Sequence, residues 1–209
     1  GANSPADVVL TVDIGRLNDM VEAGVLAQTR SEILEDRIPA NLRDPNGQWY
    51  ALTTRARVLF VSKDRVDSGA TFSYQNLADV AYRGKVCTRS GKHVYNTSLI
   101  ASVIAHQGQS KAEAWLKGVK ANLNGKPRGN DRAQAKAIFA GECDIGIGNS
   151  YYYGKMASNT KKPEQKQWAN AIRVVFPNQD GYGTHVNVSG AGVLKGSANK
   201  QAAIALIEF

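Results

Sequence analysis

The chain has 209 residues, 43% of them hydrophobic and 21% charged, which is ordinary globular material and argues against disorder. Its formal charge of +8 allows nucleic-acid binding, attraction to an anionic surface or plain solubility. The basic residues are scattered, with no zinc-finger spacing and no basic helix interleaved with aromatics, so nucleic acid is set aside. No apolar run approaches the ~18 residues of a membrane span, and GANSPADVV shows neither the basic start nor the apolar core of a signal peptide.

In chain order, ADVVLTVD at 6–13 reads as a buried strand, and the spacing of Leu17, Met20, Val21 and Val25 predicts an amphipathic helix over 15–27. Asp44 to Gly47 has turn chemistry, and strands are expected at 49–52 and 57–62. A short helix is expected at 72–80 and a short strand at 84–88. Helices follow at 98–106, 111–121 and 131–140, the last capped by Asn130 or Asp131. A strand at 144–148 runs into a tyrosine cluster; strands at 172–176 and 190–194 and a helix at 200–209 close the chain. This alternation implies an α/β fold with mainly parallel sheets. The first strand has no turn before it and the last helix no stop signal, so a piece of a longer protein is the simplest expectation.

The most unusual local feature is Asn149-Ser150-Tyr151-Tyr152-Tyr153-Gly154-Lys155, directly after a strand. In open α/β sheets ligands bind just beyond the carboxyl ends of strands. Aromatic packing with hydroxyls at the rim is the bland alternative. A phenol with an ordinary pKa of about 10 is a poor ligand for most divalent ions at neutral pH. A trivalent hard cation supports deprotonated oxygen donors by its own charge, and three phenolates would balance Fe(III). Tyr95 occupies an equivalent place, in the polar loop RSGKHVYN between a strand and a helix, with His93 nearby as a weaker candidate. His106 and His185 have no partner at helical spacing. Arg55, in LTTRAR, is either a strand-edge charge or a cation that holds phenolates or an anion. Cys87 and Cys143 are either two buried thiols or one disulfide, and no C-x-x-C motif exists.

Taken together, several stretches resemble the periplasmic ferric-ion-binding proteins, particularly their cyanobacterial branch. They are ADVVLTVDIGRL, NLRDPNGQWYALTTRARVLFVS, GKVCTRSGKHVYNTSLIA, GNDRAQAKAIFAGECDIGIGNSYYYGKM and THVNVSGAGVLKGSANKQAAIALIE. The likeness covers nearly the whole chain. It implies a type II periplasmic-binding-protein-like fold of two lobes with a ligand cleft. A partial first lobe would be formed by 1–57 and 186–209, and the second lobe by 58–185. It also implies metal ligation by Tyr95, Tyr151 and Tyr152, with Tyr153 a neighbour, Arg55 beside the metal or an anion such as carbonate, and a Cys87–Cys143 disulfide. Family members begin with a further strand and helix that supply more ligands; nothing here matches these, so the first lobe and the metal shell are expected to be incomplete. The implied role is a monomeric, periplasmic, non-enzymatic carrier that passes Fe(III) to an inner-membrane ABC permease. A carrier of an organic or anionic solute and a transferase-like enzyme on a similar fold are the competing readings.

Overall fold

In the computed structural model, residues 4–209 are described. In chain order the elements are β1 (Val8–Val12), α1 (Ile14–Glu22), α2 (Glu32–Arg37), β2 (Tyr50–Ser62), β3 (Val86–Cys87), α3 (Val94–Gln107), α4 (Gln109–Asn122), α5 (Asp131–Phe139), β4 (Ile145–Asn149), α6 (Tyr151–Ala157), α7 (Glu164–Asn170), β5 (Ile172–Val175), β6 (Val186–Val193) and α8 (Lys200–Glu208). The chain divides into two compact units, Gly1–Thr54 with Asn187–Phe209, and Arg55–Val186.

In the first unit β6 is flanked by β1, to which it is antiparallel, and by β2. Gly190 and Gly192 are required here, because a Cβ on either would lie 2.7 Å from the Tyr50 carbonyl oxygen or 2.5 Å from that of Gln48. Ala27, Leu34, Tyr50, Val193 and Ile207 fill one cluster, and Leu17, Leu26, Trp49 and Val188 another.

In the second unit β2 pairs antiparallel with both β4 and β5, and β3 pairs parallel with β4. The period-two alternation of β2 sends Leu59 and Val61 to one face, against α3 and α4, and Val58 and Phe60 to the other, against α5, α6 and α7. Both faces are therefore covered, as buried VLFV and IGI runs require. Gly148 lets Phe60 lie flat on β4, since a Cβ there would come within 2.2 Å of its ring. Cys87 and Cys143 form a disulfide with Cα atoms 5.9 Å apart, joining β3 to the turn that leads into β4.

Four expectations need correction. The sheets are not mainly parallel: β1–β6, β2–β4 and β2–β5 run antiparallel, whereas β3–β4 runs parallel. Strand–helix alternation reports helical crossovers, as between β3 and β4, but it does not show the direction in which a long strand enters a sheet. The two strands expected at 49–52 and 57–62 are one thirteen-residue strand. The helix expected at 72–80 is two short 3-10 turns. Its local polar groups compete with a helix: the Ser73 N–H donates to Asn76 Oδ1 at 2.7 Å, the Asn76 amide donates to Asp79, and Asp79 is extended at ψ 137. Finally, α3 starts at Val94 rather than Ser98, so Tyr95 sits in its first turn, not in a loop.

Candidate functional site

The site is assembled at the ends of β3 and β4 in the second unit. β3 leads through a polar turn to α3, where His93 caps the helix and its Nδ1 accepts from the Tyr95 N–H at 3.2 Å. The His93 ring meets Tyr95 edge-on at 4.6 Å between centroids. β4 ends at Asn149, and Ser150 turns the chain into α6, so Tyr151 and Tyr152 occupy the first two helical positions. Their rings lie 4.3 Å apart. All three tyrosines are half-buried.

Their hydroxyls form one chain. The Tyr151 hydroxyl is hydrogen-bonded with those of Tyr95 and Tyr152. Burial raises the Tyr95 phenol above its ordinary range, the bond to Tyr151 adds to this, and Arg55 pulls it back. Burial likewise raises Tyr151, reinforced by its bond to Tyr152 and opposed by Tyr95 and Asn149. Both phenols are therefore protonated near neutral pH, and a cation that takes them as phenolates must expel protons.

Cations surround the rings. The guanidinium carbons of Arg55, Arg57 and Arg89 lie 5.2, 5.8 and 5.3 Å from the Tyr95 ring centroid. Arg132 lies 4.9 Å from the Tyr152 centroid, and the Lys155 ammonium 5.3 Å from that of Tyr151. Cations this close to an aromatic face are attracted by its quadrupole, and more strongly once the ring carries a phenolate charge.

Beneath the tyrosines is a network that sequence reasoning missed. Asp131 is fully buried; its Oδ2 accepts from Arg57 Nη1 at 2.6 Å and from the Asn149 N–H at 2.9 Å, and its Oδ1 accepts from Arg89 Nη1 at 3.2 Å. The sequence held one usable signal. Arg55 and Arg57 are two apart on a strand and so share a face. Asp131 could not be found that way, since at a helix start it reads as a cap; the cap is Asn130, whose side chain accepts from the Ala133 N–H at 3.1 Å.

The structure thus brings Tyr95, Tyr151, Tyr152 and Arg55 together, with His93 at the edge. Tyr153 packs against the Phe60 cluster, as the Tyr152 ring also does. His106 is stacked on Tyr182 at 4.1 Å. The His185 N–H donates to the Tyr74 hydroxyl at 3.1 Å. Among the described residues no group of three His, Cys, Asp or Glu side chains could hold a metal ion. No helix of the described residues is long and apolar enough to cross a membrane.

A family model described as bacterial extracellular solute-binding protein matches residues 3–209. The chain is 45% identical to Iron uptake protein A1 of Synechocystis sp. over 209 residues, covering all of this chain and 58% of that protein. It is 47% identical to a solved Trichodesmium protein in complex with iron and citrate ligands, with a TM-score of 0.95, covering all of this chain and 66% of that one. The ferric iron-binding protein A of Mannheimia haemolytica, solved in an open conformation, is 53% identical with a TM-score of 0.91, at 100% and 65% coverage. The chain thus spans about 60% of the length of its curated relatives.

Proposed function

Because this chain belongs to the bacterial extracellular solute-binding protein family, with the α/β, type II periplasmic-binding fold of its structural neighbours, we propose that its Arg55–Val186 unit holds Fe(III) through the phenolates of Tyr95, Tyr151 and Tyr152. The observation that carries this is the hydrogen-bonded chain of three phenol oxygens in one place. Three phenolates cancel a trivalent charge, and the ion itself makes deprotonation favourable. The names of the relatives, an iron uptake protein and ferric-binding proteins, support the same cargo. Arg55, against the Tyr95 ring, offsets negative charge around the ion and faces any small anion, such as carbonate, that completes its shell. The Trichodesmium complex, which pairs iron with citrate, is consistent with an accompanying anion. The role is periplasmic capture and delivery to an inner-membrane ABC permease, with no bond of the cargo made or broken. The 1–57 with 186–209 and 58–185 lobe division belongs to this proposal.

The test is visible spectroscopy of the full-length protein titrated with ferric citrate. A phenolate-to-iron charge-transfer band is expected, and Tyr→Phe at 95, 151 or 152 should shift or weaken it while Tyr153→Phe leaves it intact. Wild-type colour and affinity in all three ligand variants would exclude the reading in favour of an organic solute. Phenols are protonated at neutral pH, and burial raises Tyr95 and Tyr151 further, so loading them as phenolates expels protons. Affinity should therefore fall as pH falls, by up to about a thousandfold per pH unit if three protons leave. A pH-independent affinity between pH 5 and 8 would contradict it.

A further inference from the structure

The Arg57–Asp131 pair is deeply buried, with side chains 2% and 0% exposed. Four segments meet at it. Arg57 comes from β2 and Asp131 from the first turn of α5. Arg57 Nη1 also donates to Asn149 Oδ1 at 3.0 Å, at the end of β4 and two residues before Tyr151. Arg57 Nη2 donates to Asn96 Oδ1 at 2.7 Å, on α3 directly after Tyr95. Asn96 in turn donates through Nδ2 to Thr88 Oγ1 and the Arg89 carbonyl, both at 3.1 Å, which fastens the turn between β3 and α3.

Stability does not account for such a pair. Desolvating two charges costs several kcal/mol per ion, and apolar side chains of similar volume often fill the same space with equal or better stability. Burial does push the Arg57 guanidinium downward, against the support of Asp131. What an apolar pair could not do is hydrogen-bond Asn96, Asn149 and the Asn149 N–H at once. The planar fork of a guanidinium holds several acceptors at fixed angles.

We infer that the Arg57–Asp131 pair is a positioning device, which sets the separation of the segment bearing Tyr95 from the segment bearing Tyr151 before the cargo arrives. This rests on the phenolate reading above. Neither residue supplies a ligand atom; they act through Asn96 and Asn149. A constellation must be held to within about 0.5 Å to work well, and the side chains behind it do the holding.

The experiment uses full-length protein and two readouts, ferric affinity by chelator competition with its charge-transfer band, and urea unfolding. The Arg57→Met/Asp131→Leu double variant leaves Arg89, Asn96 and the Asn149 N–H without these partners, so it should unfold at a lower midpoint and, where still folded, lose about tenfold or more in ferric affinity and show a shifted band. Arg57→Lys, which keeps the charge but not the fork, should show a smaller loss and shift. A folded double variant with wild-type affinity and band would overturn the inference. If the double variant does not fold, Arg57→Lys decides: a wild-type band and affinity overturn it, and a shifted band at an unchanged midpoint supports it. A wild-type protein that shows no band defeats the phenolate reading itself, and this inference with it.

Discussion

The two units use the same side chains in different ways. In the first, Tyr50 is 1% exposed and its hydroxyl donates to the Thr29 carbonyl at 2.6 Å. In the second, Tyr95, Tyr151 and Tyr152 are half-buried, and the Tyr151 hydroxyl is hydrogen-bonded with those of Tyr95 and Tyr152. Tyr74 shows that the difference is not simply one of location. It lies in the second unit but behaves like Tyr50, fully buried and donating to the Arg57 carbonyl. A structural tyrosine hands its proton to a backbone acceptor that will not release it. The phenols of the proposed site bond to one another instead, partners that a trivalent ion could displace.

The largest effect that would break this comparison is a loss of binding confined to the second unit. Tyr→Phe at positions 95, 151 and 152 together should remove ferric binding, seen as loss of colour and of retention against citrate. Leu34→Ala, in the buried core of the first unit, should leave the band unchanged and cost about 3 kcal/mol in urea unfolding. A colour change in Leu34→Ala would erase the contrast.

Next in size is the disulfide. Its closed loop has a sequence separation of 56, for which the chain-entropy model gives about 4 kcal/mol. Cys87→Ser/Cys143→Ser should destabilise unfolding by that order under non-reducing conditions. A loss below about 1 kcal/mol would mean that the Phe60 cluster already confines these strands in the unfolded chain.

The two structural tyrosines sharpen the contrast at smaller scale. Tyr50→Phe and Tyr74→Phe each leave a buried carbonyl short of a donor, and each should cost about 1–3 kcal/mol while leaving the iron spectrum untouched. A spectral shift in Tyr74→Phe would place it with the proposed ligand phenols instead. Smallest is the exposed Arg128–Glu142 pair, at 75% and 43% side-chain exposure. Arg128→Ala should change stability by no more than about 0.5 kcal/mol, and less in high salt.

The sequence alone was sufficient for the strands and helices whose apolar spacing is regular. β1, α4, α5, β4 and α8 lie close to the expected ranges because their periodicity is a local property. It missed α2 and α7, six and seven residues long, which are too short to show a period. It misread 72–80, where Asn76 and Asp79 divert the backbone by contacts a few residues away. The tyrosine run and Tyr95 could be singled out because phenols at strand ends are chemically unusual. That their three hydroxyls join in one chain was decided only by tertiary structure, since β3 and β4 become neighbours through a crossover of three helices. The same holds for Asp131. A carboxylate at a helix start is an ordinary cap by sequence, and becomes the partner of Arg57 and Arg89 only when residues 74 and 42 positions away fold against it. Local periodicity is written within a few residues of chain, whereas charge pairing in a buried site depends on which distant segments the core brings together.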